Sequence, residues 1–274
     1  MAKTKDTNKG GKHSGHKRKY YTLLDGDFSF QATESLKTLR ANLIFSLSTK
    51  KNKIFAITSS SPHEGKSTIA VNLALTFAQT EAKVLLIDAD MRSPVQHKFF
   101  KIKNKDGLSK LLGGMATLKE VVNEDIMPNF DLITGGPVPP NPSELLASEN
   151  MKRLLEELSN YYDYIIIDTP PVNMVSDVLT LSDSIAGTVI IGMSQVTTYD
   201  SFRHAVDTVR LANGTVLGAV IANIPVSTAK HGRRSYRYNY GYGYGYGYGY
   251  GNYSYGSTPA TEKNQKKSRE SIKK

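Results

Sequence analysis

The sequence predicts an α/β fold in which a mainly parallel sheet is covered by helices on both faces, and three observations predict it. Runs such as AKVLLIDAD (82–90) and YDYIIIDTPP (162–171) are apolar almost throughout, so a strand built from them needs cover on both sides. Between such runs lie segments whose apolar residues recur every three or four positions, the period of a helix packed by one face. At 274 residues the chain is long enough for one generous domain with appendages. Strand and helix signals alternating over that length are the pattern of a parallel sheet with crossover helices.

The elements follow in order. ESLKTLRANLIFSL places Leu36, Leu39, Leu43 and Leu47 at helical spacing. KIFAITS (53–59) is an apolar strand, followed by a loop and the helical pattern STIAVNLALTFAQ. AKVLLIDAD is a second strand, FDLITGG (130–136) a third, and SELLASENMKRLLEELS (143–159) a helix. YDYIIIDTPP, GTVIIGM (187–193) and TVLGAVIANI (215–224) complete the strands, with a helix from about Tyr199 to Leu211 before the last. From Lys230 the composition changes to a ladder of tyrosines separated by glycines. Such a strand has nothing to pack on its glycine face, so 230–274 is expected to be disordered. The expected organisation is a basic flexible tail (1–30), a folded domain (31–229) and a disordered tail (230–274).

Composition excludes several functions. With no cysteine there is no disulfide, thiolate metal site or thiol redox chemistry. No stretch approaches the roughly 18 apolar residues of a membrane span, and the basic N-terminus has no apolar region of a signal peptide behind it, so a protein neither exported nor membrane-spanning is expected. The net charge of +10 divides unevenly: residues 1–22 carry +6, residues 230–274 carry +8, and the remainder carries −4. A mildly acidic domain between basic tails argues against a dedicated nucleic-acid surface. The tails suit solvent, a weak attraction to anionic lipid, or nucleic acid.

The chemistry concentrates at strand ends. Ser60, Ser61, Pro62, His63, Glu64, Gly65, Lys66, Ser67 and Thr68 lie between a strand and a helix, the setting of a phosphate-binding P-loop. There, backbone N–H groups wrap phosphates, Lys66 reaches the β and γ oxygens, and Ser67 offers its hydroxyl to Mg²⁺. Ser60 stands where the usual pattern has its first glycine. Asp88, Asp90 and Asp168 end two strands and emerge at the carboxyl edge of the sheet, where open α/β folds bind ligands. One such aspartate alone could simply cap a helix. Three beside a phosphate loop suit Mg²⁺ binding and acceptance of a proton from an attacking hydroxyl. Asn223, at the end of a late strand, is a candidate adenine contact.

TSSSPHEGKST as Walker A, VLLIDADMRSP as an additional Walker A-prime motif, YDYIIIDTPPV as Walker B and the C-terminal tyrosine cluster together resemble the bacterial tyrosine kinases of capsule and exopolysaccharide synthesis, in their free-standing Gram-positive form. The resemblance runs from about Thr33 to Tyr255. It implies a P-loop NTPase fold and an ATP- and Mg²⁺-dependent autokinase whose own tail is the substrate: Tyr236, Tyr238, Tyr240, Tyr242, Tyr244, Tyr246, Tyr248, Tyr250, Tyr253 and Tyr255. It implies Lys66, Ser67 and Thr68 as nucleotide-loop residues, Asp90 and Asp168 as Mg²⁺ carboxylates and Asp88 as the base for the incoming tyrosine. Arg92 matches the A-prime arginine, though pairing a neighbouring carboxylate would explain it equally. An E-x-x-R-x-x-R helix joins subunits of the family into rings; here Glu34, Lys37 and Arg40 occupy those positions, and Lys37 lacks the arginine fork. Implied partners are a transmembrane adaptor of the polysaccharide co-polymerase type and a cognate phosphotyrosine phosphatase, with no specific nucleic acid. The implied location is the cytoplasmic face of the membrane, reached through the adaptor.

Two other readings stay open on the sequence. One is a partitioning or positioning ATPase of the ParA and MinD type, although Ser61 stands where those proteins carry a signature lysine. The other is a non-catalytic RNA-binding or condensate-forming protein, in which Tyr-Gly repeats stack on bases.

Overall fold

A computed structural model describes residues 20, 22–25 and 28–225. The tyrosine cluster and most of the basic N-terminal segment lie outside the described residues.

The chain enters helix α1 (Phe30–Leu47), then strand β1 (Ile54–Ser59), helix α2 (Lys66–Ala78) and strand β2 (Val84–Asp88). Three short helices follow, α3 (Gln96–Phe99), α4 (Leu108–Leu112) and α5 (Leu118–Val121), then the hairpin strands β3 (Val122–Met127) and β4 (Phe130–Ile133). Helices α6 (Pro142–Leu146) and α7 (Glu149–Leu158) precede strand β5 (Tyr164–Asp168). Strand β6 (Gly187–Met193), helix α8 (Tyr199–Leu211) and strand β7 (Val216–Ala222) finish the domain.

The seven strands lie in the order β3-β4-β2-β5-β1-β6-β7, all parallel except β3, which runs antiparallel to β4. Alternate strand residues feed two separate cores, as the pleat requires. Phe55, Ile57, Leu86 and Ile166 join α1 and α2 on one face, while Ile54, Ala56, Leu85, Ile87 and Ile167 join α7 and α8 on the other. Because β1, β2 and β5 are flanked on both sides and both faces, every residue in them is buried. That is why their sequences are continuously apolar.

The expected α/β architecture is therefore present, with additions at its margins. Helix α1 begins four residues before the segment Glu34–Leu47 that the periodicity predicts, because Ser29 caps it by accepting the Ala32 N–H. Strand β3 has no continuous apolar signature: VNEDIM pairs with β4 alone among the described residues and none of its residues is fully buried, so its middle can be polar. The other edge, β7, is only half-buried despite its apolar run, and it pairs with β6 alone among the described residues. No described helix is long and apolar enough to cross a membrane.

Candidate functional site

Strand β1 ends at Ser59 and helix α2 starts at Lys66, so Ser60–Gly65 must reverse the chain in six residues. Two left-handed residues make the turn, His63 at φ 67° and Gly65 at φ 88°. Gly65 is the helix N-cap and so supplies no side-chain cap to the first N–H groups of α2. Those donors have no partner within the helix and point from the positive end of its dipole, an arrangement that suits an anion.

Facing this terminus are the strand-end carboxylates. Asp88 of β2 and Asp168 of β5 are register partners on adjacent strands and both side chains are fully buried. Asp90 lies two residues past the end of β2 and is nearly buried. Lys66 Nζ reaches two of these carboxylates from the first position of α2, at 2.7 Å from Asp90 Oδ2 and 3.3 Å from Asp168 Oδ1, and lies 3.1 Å from Ser67 Oγ. Burial opposes the charge on Lys66, but Asp168 and Asp90 outweigh it and hold its pKa above the ordinary lysine value. Burial raises the pKa of Asp88, and the neighbouring Asp168 charge raises it further. Asp168 is raised by burial too, against the stabilising effects of Lys66, Ser67 and Gln96.

One ammonium thus pairs with two of three buried carboxylates, and two buried acceptors at or beside them, Asp88 Oδ1 and Gln96 Oε1, have no hydrogen-bond partner. An excess of negative charge with unsatisfied acceptors fits a hydrated divalent cation. The residues present are therefore compatible with the nucleotide and Mg²⁺ that a P-loop implies.

The structure brings together Ser60–Thr68, Asp88, Asp90 and Asp168 as the sequence led one to expect, with refinements. Asp88 is enclosed, and its Oδ2 accepts the N–H groups of Val95 and Gln96 at 3.0 and 2.9 Å, so it is not at the surface where a tyrosine would arrive. Glu64 is turned into the protein, which leaves only its backbone to face a phosphate. Asn223 is exposed, with φ 56°, directly after Ala222, whose Cβ is 3.9 Å from where a Gly65 Cβ would stand. Arg92 forks onto the buried Asp177, two bonds of 3.1 Å, and also reaches Ser143 Oγ at 2.8 Å, so it does pair a carboxylate. On α1, Lys37 pairs with Glu34 at 2.8 Å, and Arg40 donates to the Thr76 carbonyl of α2.

Sequence reasoning missed Gln96 and Thr197. Gln96 is fully buried and donates to Ser67 O at 3.1 Å and to Asp168 Oδ2 at 2.7 Å, joining the first turn of α2 to the end of β5. Thr197 donates to Glu64 Oε1 at 2.5 Å from 133 residues away. Neither carries a local signal, because each acts across the sheet edge.

Fold and site define a P-loop nucleotide-binding α/β protein, and residues 52–212 match the AAA domain family AAA_31. The chain is 37% identical over 194 residues to a putative tyrosine-protein kinase CapB of Staphylococcus aureus, covering 71% of this chain and 85% of that one. It is 38% identical over 204 residues to tyrosine-protein kinase YwqD of Bacillus subtilis, covering 74% and 85%. A crystal structure of the chimerical protein CapA2B2 superposes with a TM-score of 0.68 at 36% identity, covering 70% of this chain and 85% of that chain. The chain belongs to the bacterial tyrosine-protein kinase family.

Proposed function

We propose that this protein is an ATP- and Mg²⁺-dependent tyrosine autokinase that phosphorylates its own C-terminal cluster, Tyr236 to Tyr255, and thereby regulates synthesis and export of a capsular or extracellular polysaccharide. The observation that carries the reading is Lys66, held at the uncapped start of α2 between Asp90 and Asp168. Family membership and a tyrosine-rich tail on the same chain support it. Residues 31–229 are the kinase domain in this reading, and the segments on either side are its tails.

The roles follow from position. The N–H groups from Gly65 to Thr68 hold the phosphates, and Lys66 exchanges its carboxylate partners for phosphate oxygens. Ser67, Asp90 and Asp168 would hold Mg²⁺, which neutralises charge on the transferred group when bound. Asp88 accepts the proton of the tyrosine hydroxyl as the phosphoryl group moves, once the site has opened enough to admit that hydroxyl. Phosphoryl transfer asks mainly for such placement and charge neutralisation. Asn223 contacts the adenine. The α1 helix, through Glu34, Lys37 and Arg40, assembles copies of the chain into a ring, and a transmembrane adaptor holds that ring at the membrane. A phosphotyrosine phosphatase reverses the modification.

The test is incubation of purified protein with Mg²⁺ and ATP, followed by mass-spectrometric mapping. Phosphotyrosine confined to the 236–255 cluster is expected. In a mixture of a Lys66→Met chain with an active chain lacking residues 230–274, the inactive chain's tail is expected to be labelled by its neighbour. No phosphotyrosine on the wild-type chain would sink the kinase reading, and an unlabelled tail in the mixture would sink transfer between copies.

A further inference from the structure

Glu64 lies inside the phosphate loop, yet it is only 1% exposed, and its carboxylate accepts from three neutral donors among the described residues. Ser60 Oγ donates to it at 2.8 Å and the Ser61 N–H at 2.9 Å. The remaining donor is Thr197 Oγ1, 2.5 Å from Glu64 Oε1, in the loop joining β6 to α8. The same hydroxyl accepts the Met193 N–H at 2.7 Å, so Thr197 is anchored to the end of β6 and has one proton to give. A carboxylate that only capped its own turn would draw its donors from nearby residues. Glu64 also draws one from a different strand's exit loop.

The residues on either side of Glu64 explain what that link does. His63 and Gly65 are both left-handed. For Gly65 this is easy, but a non-glycine residue such as His63 holds that conformation only where its surroundings impose it. The curvature produced by these two residues is what turns successive N–H groups of the loop toward one point. Glu64 sits between them, and its side chain is fixed at three places.

We propose that Thr197 is a positioning residue for nucleotide binding: acting through Glu64, it holds the phosphate loop in its curved form. The inference rests on the nucleotide reading above. With Thr197 hydroxyl-free, Glu64 loses its tether to the β6–α8 loop, His63 relaxes, and the N–H groups diverge. The cradle grips phosphates before and during transfer alike, so its loss raises KM for ATP and changes kcat little.

The test compares wild type, the near-isosteric Thr197→Val and the hydroxyl-restoring Thr197→Ser as full-length chains. Calorimetry with Mg-ADP reads affinity independently of kinase activity, and initial rates give KM and kcat. Thr197→Val is expected to bind Mg-ADP about tenfold more weakly, with a similar rise in KM for ATP and kcat within about threefold; Thr197→Ser is expected to stay within about twofold of wild type. Should Thr197→Val fail to fold, Ser60→Ala, which removes a donor from the other side of Glu64, is expected to show the same weakening. Wild-type affinity in Thr197→Val, or equal weakening in Thr197→Ser, overturns the proposal. Wild type that binds no Mg-ADP overturns the nucleotide reading instead.

Discussion

Lys66 faces Asp88, Asp90 and Asp168 in a site where none of the three carboxylates is more than slightly exposed. Without a cation the surplus charge destabilises the fold, and Asp88 contributes most visibly because its Oδ1 is buried without a partner. Asp88→Asn keeps an oxygen for the Val95 and Gln96 N–H groups and removes the cost of folding around a carboxyl whose pKa burial and Asp168 push up to about 8. It is expected to stabilise the nucleotide-free protein by about 1 kcal/mol in urea unfolding while lowering kcat at least about 100-fold if Asp88 takes the tyrosine proton. Tyr162 offers a second residue-level test. Burial, then the hydrogen bond to Asp131 at 2.6 Å, raise its pKa above the ordinary tyrosine value. The stability held by the protonated phenol is full below the unfolded value near 10 and is lost as pH rises through the higher folded one. Wild-type stability should therefore fall above about pH 10, whereas Tyr162→Phe should be about 1 kcal/mol weaker at pH 7 and flatter above pH 10 in denaturant titrations. Lys66 was legible in the sequence because it follows a glycine between a strand and a helix, and the three aspartates because they lie at or just past the ends of apolar strand runs. Gln96 and Thr197 were not, because their partners are 72 and 133 positions away.

Loops at the carboxyl edge are tied to one another rather than left to their strands. Arg92, just past β2, forks onto Asp177 in the segment after β5 and reaches Ser143 in the first turn of α6. Ser143 Oγ in turn donates to Asp177 Oδ1 at 2.6 Å. Asp177 is fully buried, while Arg92 is partly solvated, so the pair is worth less than a fully buried one but removal of Arg92 strands the carboxylate. Arg92→Ala is expected to cost about 2 kcal/mol and Arg92→Lys about 1 kcal/mol, because lysine keeps the charge and loses the planar fork. Urea midpoints of the two variants against wild type measure this, and equal midpoints for all three would contradict it. At this scale the sequence located β1, β2, β5 and β6 by their apolar runs and α2, α7 and α8 by their periodicity. It missed α3 to α5, which at four or five residues are too short to show a period, and β3, whose edge position needs no hydrophobic code; it also ran α6 and α7 together as one helix over 143–159, where Ser148 instead caps a new start by accepting the Met151 N–H.

For the whole molecule, charge is the property that modification changes most. The chain carries +10, and each tyrosine phosphate adds about −1.5 to −2 at neutral pH, so ten would add about −15 to −20 and reverse the sign. Assemblies of the wild-type chain are expected to disperse on incubation with Mg²⁺ and ATP while Lys66→Met assemblies persist, as read by light scattering. An unchanged wild-type assembly would refute a role for phosphorylation in dispersal. By itself the sequence determined the α/β class, where along the chain the central strands lie, and the position of the phosphate loop. Those features follow from short-range rules: how many faces of a strand are covered, the helical period, and the turn residues between a strand and a helix. Only the tertiary structure decided which partner each buried charge has. It placed Asp88 beside Asp168, closed Asp88 behind the N–H groups of Val95 and Gln96, and anchored Glu64 to Thr197. These contacts depend on strand order, which brings β5 between β2 and β1, and a parallel sheet fixes that order through long crossovers whose ends carry no mutual sequence signal.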